Sequence, residues 1–86
     1  MNMIDLISEV GRYKKIDLHN MSKEEARAEI MHELYIADNI DSLVLVHGYH
    51  GGQVLKKLVR TELVHERIEK KINLDASTTA LRLKKL

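Results

Sequence analysis

Apolar positions along the chain change their period several times, and each change marks an element. Lys14–Leu18 alternates, with Ile16 and Leu18 on one side, as a half-buried strand does. From Ser22 the spacing becomes helical: Ala26, Ile30, Leu34 and Ala37 recur at three- or four-residue intervals and define one buried stripe. Ser22-Lys23-Glu24-Glu25 has capping-box spacing, in which serine and glutamate side chains each satisfy a free backbone N–H. Asp38, Asn39 and Asp41 end that helix. Leu43–Val46 is an unbroken apolar run of strand length, the pattern of a strand covered on both faces.

A second helical pattern runs from Gln53 to about Glu66, with Val54, Leu55, Leu58, Val59 and Leu63 directed inward. Beyond His65 alternation returns. Ile68, Lys70, Ile72 and Leu74, then Leu81 and Leu83 against Arg82 and Lys84, predict two strands joined through Asp75-Ala76-Ser77-Thr78. Ahead of all this, Ile4, Leu6, Ile7 and Val10 suit a short amphipathic helix ending near Gly11. Residues 1–13 are therefore read as a lead-in and residues 14–86 as the domain proper.

The resulting order is β-α-β-α-β-β, an α/β chain. A strand–helix–strand unit of this length makes a right-handed crossover between parallel strands. Parallel strands end on one edge of their sheet, and ligands of open α/β sheets bind outside that edge. Two histidines sit at such ends, His19 after the first strand and His47 after the second. Topology alone thus predicts that both face one pocket.

Composition narrows the chemistry. An 86-residue chain is large enough for one modest core. It has no cysteine, which excludes disulfides and thiolate zinc sites. No apolar run approaches the roughly 20 residues of a membrane span, and Met1–Val10 lacks the basic start of a signal peptide. A cytoplasmic protein is the expectation. The net charge of +1 hides an asymmetry: residues 1–42 hold five Lys/Arg and nine Asp/Glu, residues 43–86 nine and four, or −4 against +5. Lys56, Lys57 and Arg60 follow the second histidine motif directly, which makes a local basic surface. With three tyrosines and no Phe or Trp, an extended base-stacking platform is not expected.

The segment His47-Gly48-Tyr49-His50-Gly51-Gly52 lies between an apolar strand and a basic helix. Glycines allow backbone conformations that turn N–H groups toward an anion, and a helix N-terminus attracts one. Phosphate is the first ligand this suggests. His47 can exchange a proton with a phosphodiester oxygen or donate a hydrogen bond to it. His50 assists or is exposed loop; Tyr49 stacks on a base or covers the loop. A tight turn without a ligand would explain the glycines but not the histidines. Asp17 and His19, two apart on a strand, point to the side away from Leu18. The carboxylate there can orient the ring and raise its basicity, or hold a divalent ion such as Mg²⁺ or Mn²⁺. A zinc site from Asp17, His19, His47 and His50 ranks below phosphate binding, because flexible glycines support a rigid metal cage poorly. His32 and His65 read as surface residues. There is no P-loop pattern and no nucleophile elbow.

Ile16-Asp17-Leu18-His19, the helix opening at Ser22-Lys23-Glu24-Glu25-Ala26, and Val46-His47-Gly48 with its loop and basic helix together resemble the Smr (small MutS-related) domain. The resemblance spans roughly residues 14–86. It implies a two-layer α/β sandwich with a mixed four-stranded sheet, and nucleic-acid binding with, in several members, nicking of DNA or cleavage of RNA. It also implies that Asp17, His19, His47 and Gly48 form the functional edge. Three positions depart from the family pattern. Asn20 stands where glycine usually follows, His50 replaces the middle glycine of the loop, and Asp75-Ala76-Ser77-Thr78-Thr79 replaces a glycine-rich turn. Asn20 is a mild change, because asparagine tolerates left-handed backbone. His50 adds bulk to the loop, which bears on cleavage more than on phosphate binding.

The expectation is therefore a domain binding DNA or RNA backbone. In its sharper form it is an endonuclease with Asp17, His19 and His47 catalytic and with Gly48, Tyr49, His50, Gly51, Gly52, Lys56, Lys57 and Arg60 holding phosphate. The alternative is a non-catalytic nucleic-acid-binding or protein-interaction module with a degenerate loop. Ile4 and Leu6, or an exposed sheet edge, would support a weak homodimer.

Overall fold

In the computed structural model, which describes residues 8–48 and 53–85, the elements follow the expected order. They are β1 (Tyr13–Asp17), α1 (Lys23–Ile36), β2 (Ser42–Val46), α2 (Gln53–Lys57), β3 (Ile68–Asp75) and β4 (Thr78–Leu83). The four strands form one mixed sheet in the order β1-β2-β4-β3. β1 and β2 are parallel, with Asp17 opposite Val46, and β4 runs antiparallel to both β2 and β3. Because β4 pairs Thr78 with Val46, the β3–β4 turn lies beside the C-terminal end of β2.

Alternation decides the layers. Ile16, Leu18, Leu43, Leu45, Leu81 and Leu83 pack against Ala26, Ile30 and Leu34 of α1 and against Leu55, Leu58, Val59 and Leu63. This is the main core, a helix layer on one sheet face. The opposite face carries a smaller cluster of Val44, Ile72 and Ala80, closed by Val10. β2 is thus covered on both faces, as its unbroken apolar run predicts.

The termini of α1 explain its length. Ser22 accepts the Glu25 N–H and Glu25 accepts the Ser22 N–H, both at 3.1 Å, so the capping box is closed. At the other end Arg67 Nη1 donates to the carbonyls of Leu34 and Ala37 at 2.8 and 2.9 Å. That cap crosses 33 residues of sequence in one case and 30 in the other, so local pattern gives no hint of it. Asn39 then takes a positive φ of 60° and turns the chain toward β2.

Three boundaries differ from the sequence reading. β1 starts one residue earlier, at Tyr13, and Leu18 follows it with its N–H on the Val46 carbonyl at 2.8 Å. The second helix is α-helical only to Lys57. Over Leu58–Glu62 it widens, the Leu63 N–H reaching back five residues to the Leu58 carbonyl at 2.7 Å, and it stops there in extended backbone. The wider turn keeps Leu58, Val59 and Leu63 all in the core. Val54, expected to face inward, is 55% exposed. Leu55, Leu58 and Val59 already form the stripe, and a residue adjacent to Leu55 points about 100° away from it.

The last residues of the lead-in pack on the domain. Ser8–Val10 are helical, Val10 is buried, and Ser42 Oγ donates to the Val10 carbonyl at 2.6 Å. Gly11 is required by space and conformation together. Its φ is +67°, and a Cβ there would lie 2.5 Å from the Asp41 carboxylate, which accepts the Arg12 N–H. Ile4, Leu6 and Ile7, on which the N-terminal helix and dimer expectations rest, lie outside the described residues. Among the described residues no helix is long and apolar enough to cross a membrane.

Candidate functional site

The C-terminal ends of β1 and β2 converge on one edge. Asp17 ends β1, and its Oδ1 accepts both the His19 backbone N–H at 3.1 Å and His19 Nδ1 at 2.5 Å. Both side chains are more than half exposed. These bonds, the side-chain one first, hold the Asp17 carboxyl below its ordinary pKa. With Nδ1 turned to the carboxylate, Nε2 is the outward nitrogen, and it has no partner among the described residues. Asn20 follows with φ 70°, the left-handed conformation that asparagine tolerates.

Gly48 completes the juncture. Its φ is +85°, and a Cβ there would sit 3.4 Å from His19 Cβ. Its left-handed backbone, rather than lack of space, is what favours glycine at this point. Tyr49, His50, Gly51 and Gly52 lie outside the described residues. Lys56 is half-buried and Lys57 exposed, and neither side chain hydrogen-bonds among the described residues. At the α1 N-terminus the capping box already satisfies the Ser22 and Glu25 N–H groups.

His47 is placed differently from His19, and the expectation of a shared pocket needs correction. Its side chain points into the helix layer, 1% exposed. Nε2 lies 3.1 Å from Thr79 Oγ1 and Nδ1 lies 3.2 Å from the Gly48 carbonyl. Burial is the main cause that lowers its pKa below 6.5, reinforced by the Arg60 and Lys56 charges and opposed by the Gly48 bond and Asp75. With both nitrogens engaged, this ring reaches no phosphate in the described geometry. Arg60, expected to hold phosphate, also turns inward. Nε donates to Thr79 Oγ1 at 2.6 Å, and Nη2 donates to the carbonyls of Thr78, at 3.1 Å, and Asp75.

The turn that replaces the glycine-rich one is held by its own side chains. Asp75 Oδ1 accepts the Ser77 N–H at 2.8 Å and Ser77 Oγ at 3.0 Å, an Asx-type turn that needs no glycine. The Ser77 carbonyl then accepts the backbone N–H groups of His47 and Gly48, at 2.9 and 3.2 Å. Thr79, Ser77 and the Lys23–Glu62 ion pair at 2.8 Å escape a sequence reading. For Thr79 a signal exists: it shares the inward parity of Leu81 and Leu83, so a hydroxyl stands at a core position.

Among the described residues, no three His, Asp or Glu side chains converge to hold a metal ion. His47 has no nitrogen left for zinc, and Asp17 alone offers a hydrated Mg²⁺ or Mn²⁺ little more than one carboxylate. No known protein-family profile matches the chain, and neither does any curated protein sequence. Among solved structures it is similar to the Smr domain of Thermus thermophilus MutS2. The two superpose with a TM-score of 0.68 at 23% identity, covering 84% of this chain and 99% of that one. With its mixed four-stranded sheet and the helices packed on it, the chain has the fold of an Smr domain.

Proposed function

We propose that the edge formed by Asp17, His19, Gly48, Lys56 and Lys57 binds the phosphate backbone of DNA or RNA. The observation that carries the reading is the exposed Asp17–His19 pair standing beside Gly48, where two parallel strands end side by side. Lys56 and Lys57, which follow the motif directly, support it, and the fold neighbour, a domain of MutS2, is consistent with it. Tyr49, His50, Gly51 and Gly52 belong to the same proposal as phosphate contacts. Lysines positioned this way neutralise phosphates without reading bases. Anisotropy titrations with short labelled DNA and RNA at several salt concentrations test it. Affinity falls steeply with salt; absence of binding at low salt ends the reading.

A second reading, phosphodiester cleavage, is favoured by the 2.5 Å Asp17–His19 bond. A carboxylate on Nδ1 orients the ring so that Nε2 can take a proton from an attacking hydroxyl or water. Because His47 is enclosed, His19 carries that role without it. Nicking of plasmid DNA and structured RNA, with and without Mg²⁺ or Mn²⁺, decides between the two. Turnover that survives His19→Ala removes His19 from the chemistry. Binding without turnover leaves a binding module.

A further inference from the structure

We propose that His47 is a positioning residue, held as the neutral Nδ1–H tautomer by a one-way hydrogen-bond chain that sets the Gly48 backbone at the end of β2. The chain has four members: Arg60 Nε, Thr79 Oγ1, the His47 ring and the Gly48 carbonyl. Its two ends fix its direction. A guanidinium can only donate and a carbonyl can only accept. Thr79 Oγ1 accepts the Arg60 N–H, and the Gly48 carbonyl can be met only by an Nδ1–H, so in the neutral ring Nε2 is an acceptor and receives the hydrogen bond of the Thr79 hydroxyl. The ring proton therefore sits on Nδ1 and is donated to the Gly48 carbonyl.

This assignment rests on the proposed binding role of the edge and deepens it. His47 is tied down by its ring to the Gly48 carbonyl and by its N–H to the Ser77 carbonyl. Gly48, fixed at φ +85°, lies against His19. The ring thus joins the exposed pair on β1 to the chain that enters residues 49–52, while touching no ligand itself. Arg60 and Lys56 are the cations near it and Asp75 the acid; the cations oppose a second ring proton. Arg60 and Thr79 are positioning residues by the same geometry.

The test compares two replacements. The side-chain amide N–H of asparagine occupies nearly the place of Nδ1–H, so His47→Asn retains the bond to Gly48; leucine cannot make it. Oligonucleotide affinity in His47→Asn stays within about threefold of the parent, and His47→Leu loses about tenfold or more, the equivalent of ~1.4 kcal/mol. Equal losses in both variants overturn the proposal. Long-range ¹⁵N spectra of the free protein show His47 protonated on Nδ1 alone at neutral pH. An Nε2–H tautomer or an imidazolium there overturns it as well. Should His47→Leu fail to fold, Thr79→Val takes its place, with the His47 ring signals shifted and affinity reduced several-fold; no change in either overturns the chain. The spectra require no ligand. A parent protein that binds no nucleic acid, yet shows the Nδ1–H ring, therefore fails the function and not the tautomer.

Discussion

His19 and His47 occupy like places, each just past the end of one of two parallel neighbouring strands, yet their surroundings are opposite. His19 is 58% exposed and paired with a carboxylate; His47 is 1% exposed and bonded to Thr79 and the Gly48 carbonyl. The difference is one of parity. Asp17 is opposite Val46, so His47 falls one step further, level with Leu18 on the helix-covered face, while His19 comes two steps after Asp17. The same residue type at the same kind of strand end becomes solvent chemistry in one case and internal scaffolding in the other.

The comparison can be broken most directly by truncation. His47→Ala leaves a cavity, a Thr79 hydroxyl hydrogen without its acceptor and a Gly48 carbonyl without its donor, and should cost about 2–4 kcal/mol in urea unfolding. His19→Ala should leave the midpoint where it was. Equal effects would mean that burial does not separate the two rings. Gly48→Ala is next in size, at about 1–2 kcal/mol for a side chain at left-handed φ. The added Cβ also touches His19, and the expected outcome is weaker oligonucleotide binding together with shifted His19 resonances.

Acid should act through His47. Its pKa in the folded protein lies below the unfolded value of 6.5, so the unfolded chain takes up the proton first. The stability this neutral ring contributes is full above pH 6.5 and is lost as pH falls through the window below it. Melting temperature should therefore drop between pH 7 and pH 5, and the drop should be shallower in His47→Asn. The smallest effects belong to the two lysines of α2. Lys56→Ala and Lys57→Ala should each weaken binding similarly across sequences and lower the salt slope by about 1. An unchanged slope would place the bound phosphates elsewhere.

Much of the architecture is legible in the sequence because its causes are local. Strand alternation, the apolar run of β2 and the Ser22–Glu25 box each depend on residues within a few positions, and all three reappear in the structure. The Asp17–His19 pair is legible for the same reason, two residues apart on one strand. The widening of the second helix at Leu58 is not, since it follows from keeping Leu63 in the core while β3 turns back.

What the chain determines by itself, then, is which segments become strands and helices and which residue types gather at one sheet edge. What only the folded molecule decides is their orientation and their partners. Thr79 reaches His47 across 32 residues and Arg60 reaches Thr79 across 19. Those bonds form only once β4 lies between β2 and β3 and the second helix is laid on the sheet. A histidine's role depends on whether water or a hydroxyl meets its second nitrogen. That is fixed by packing between segments far apart along the backbone, and no spacing within one motif encodes it.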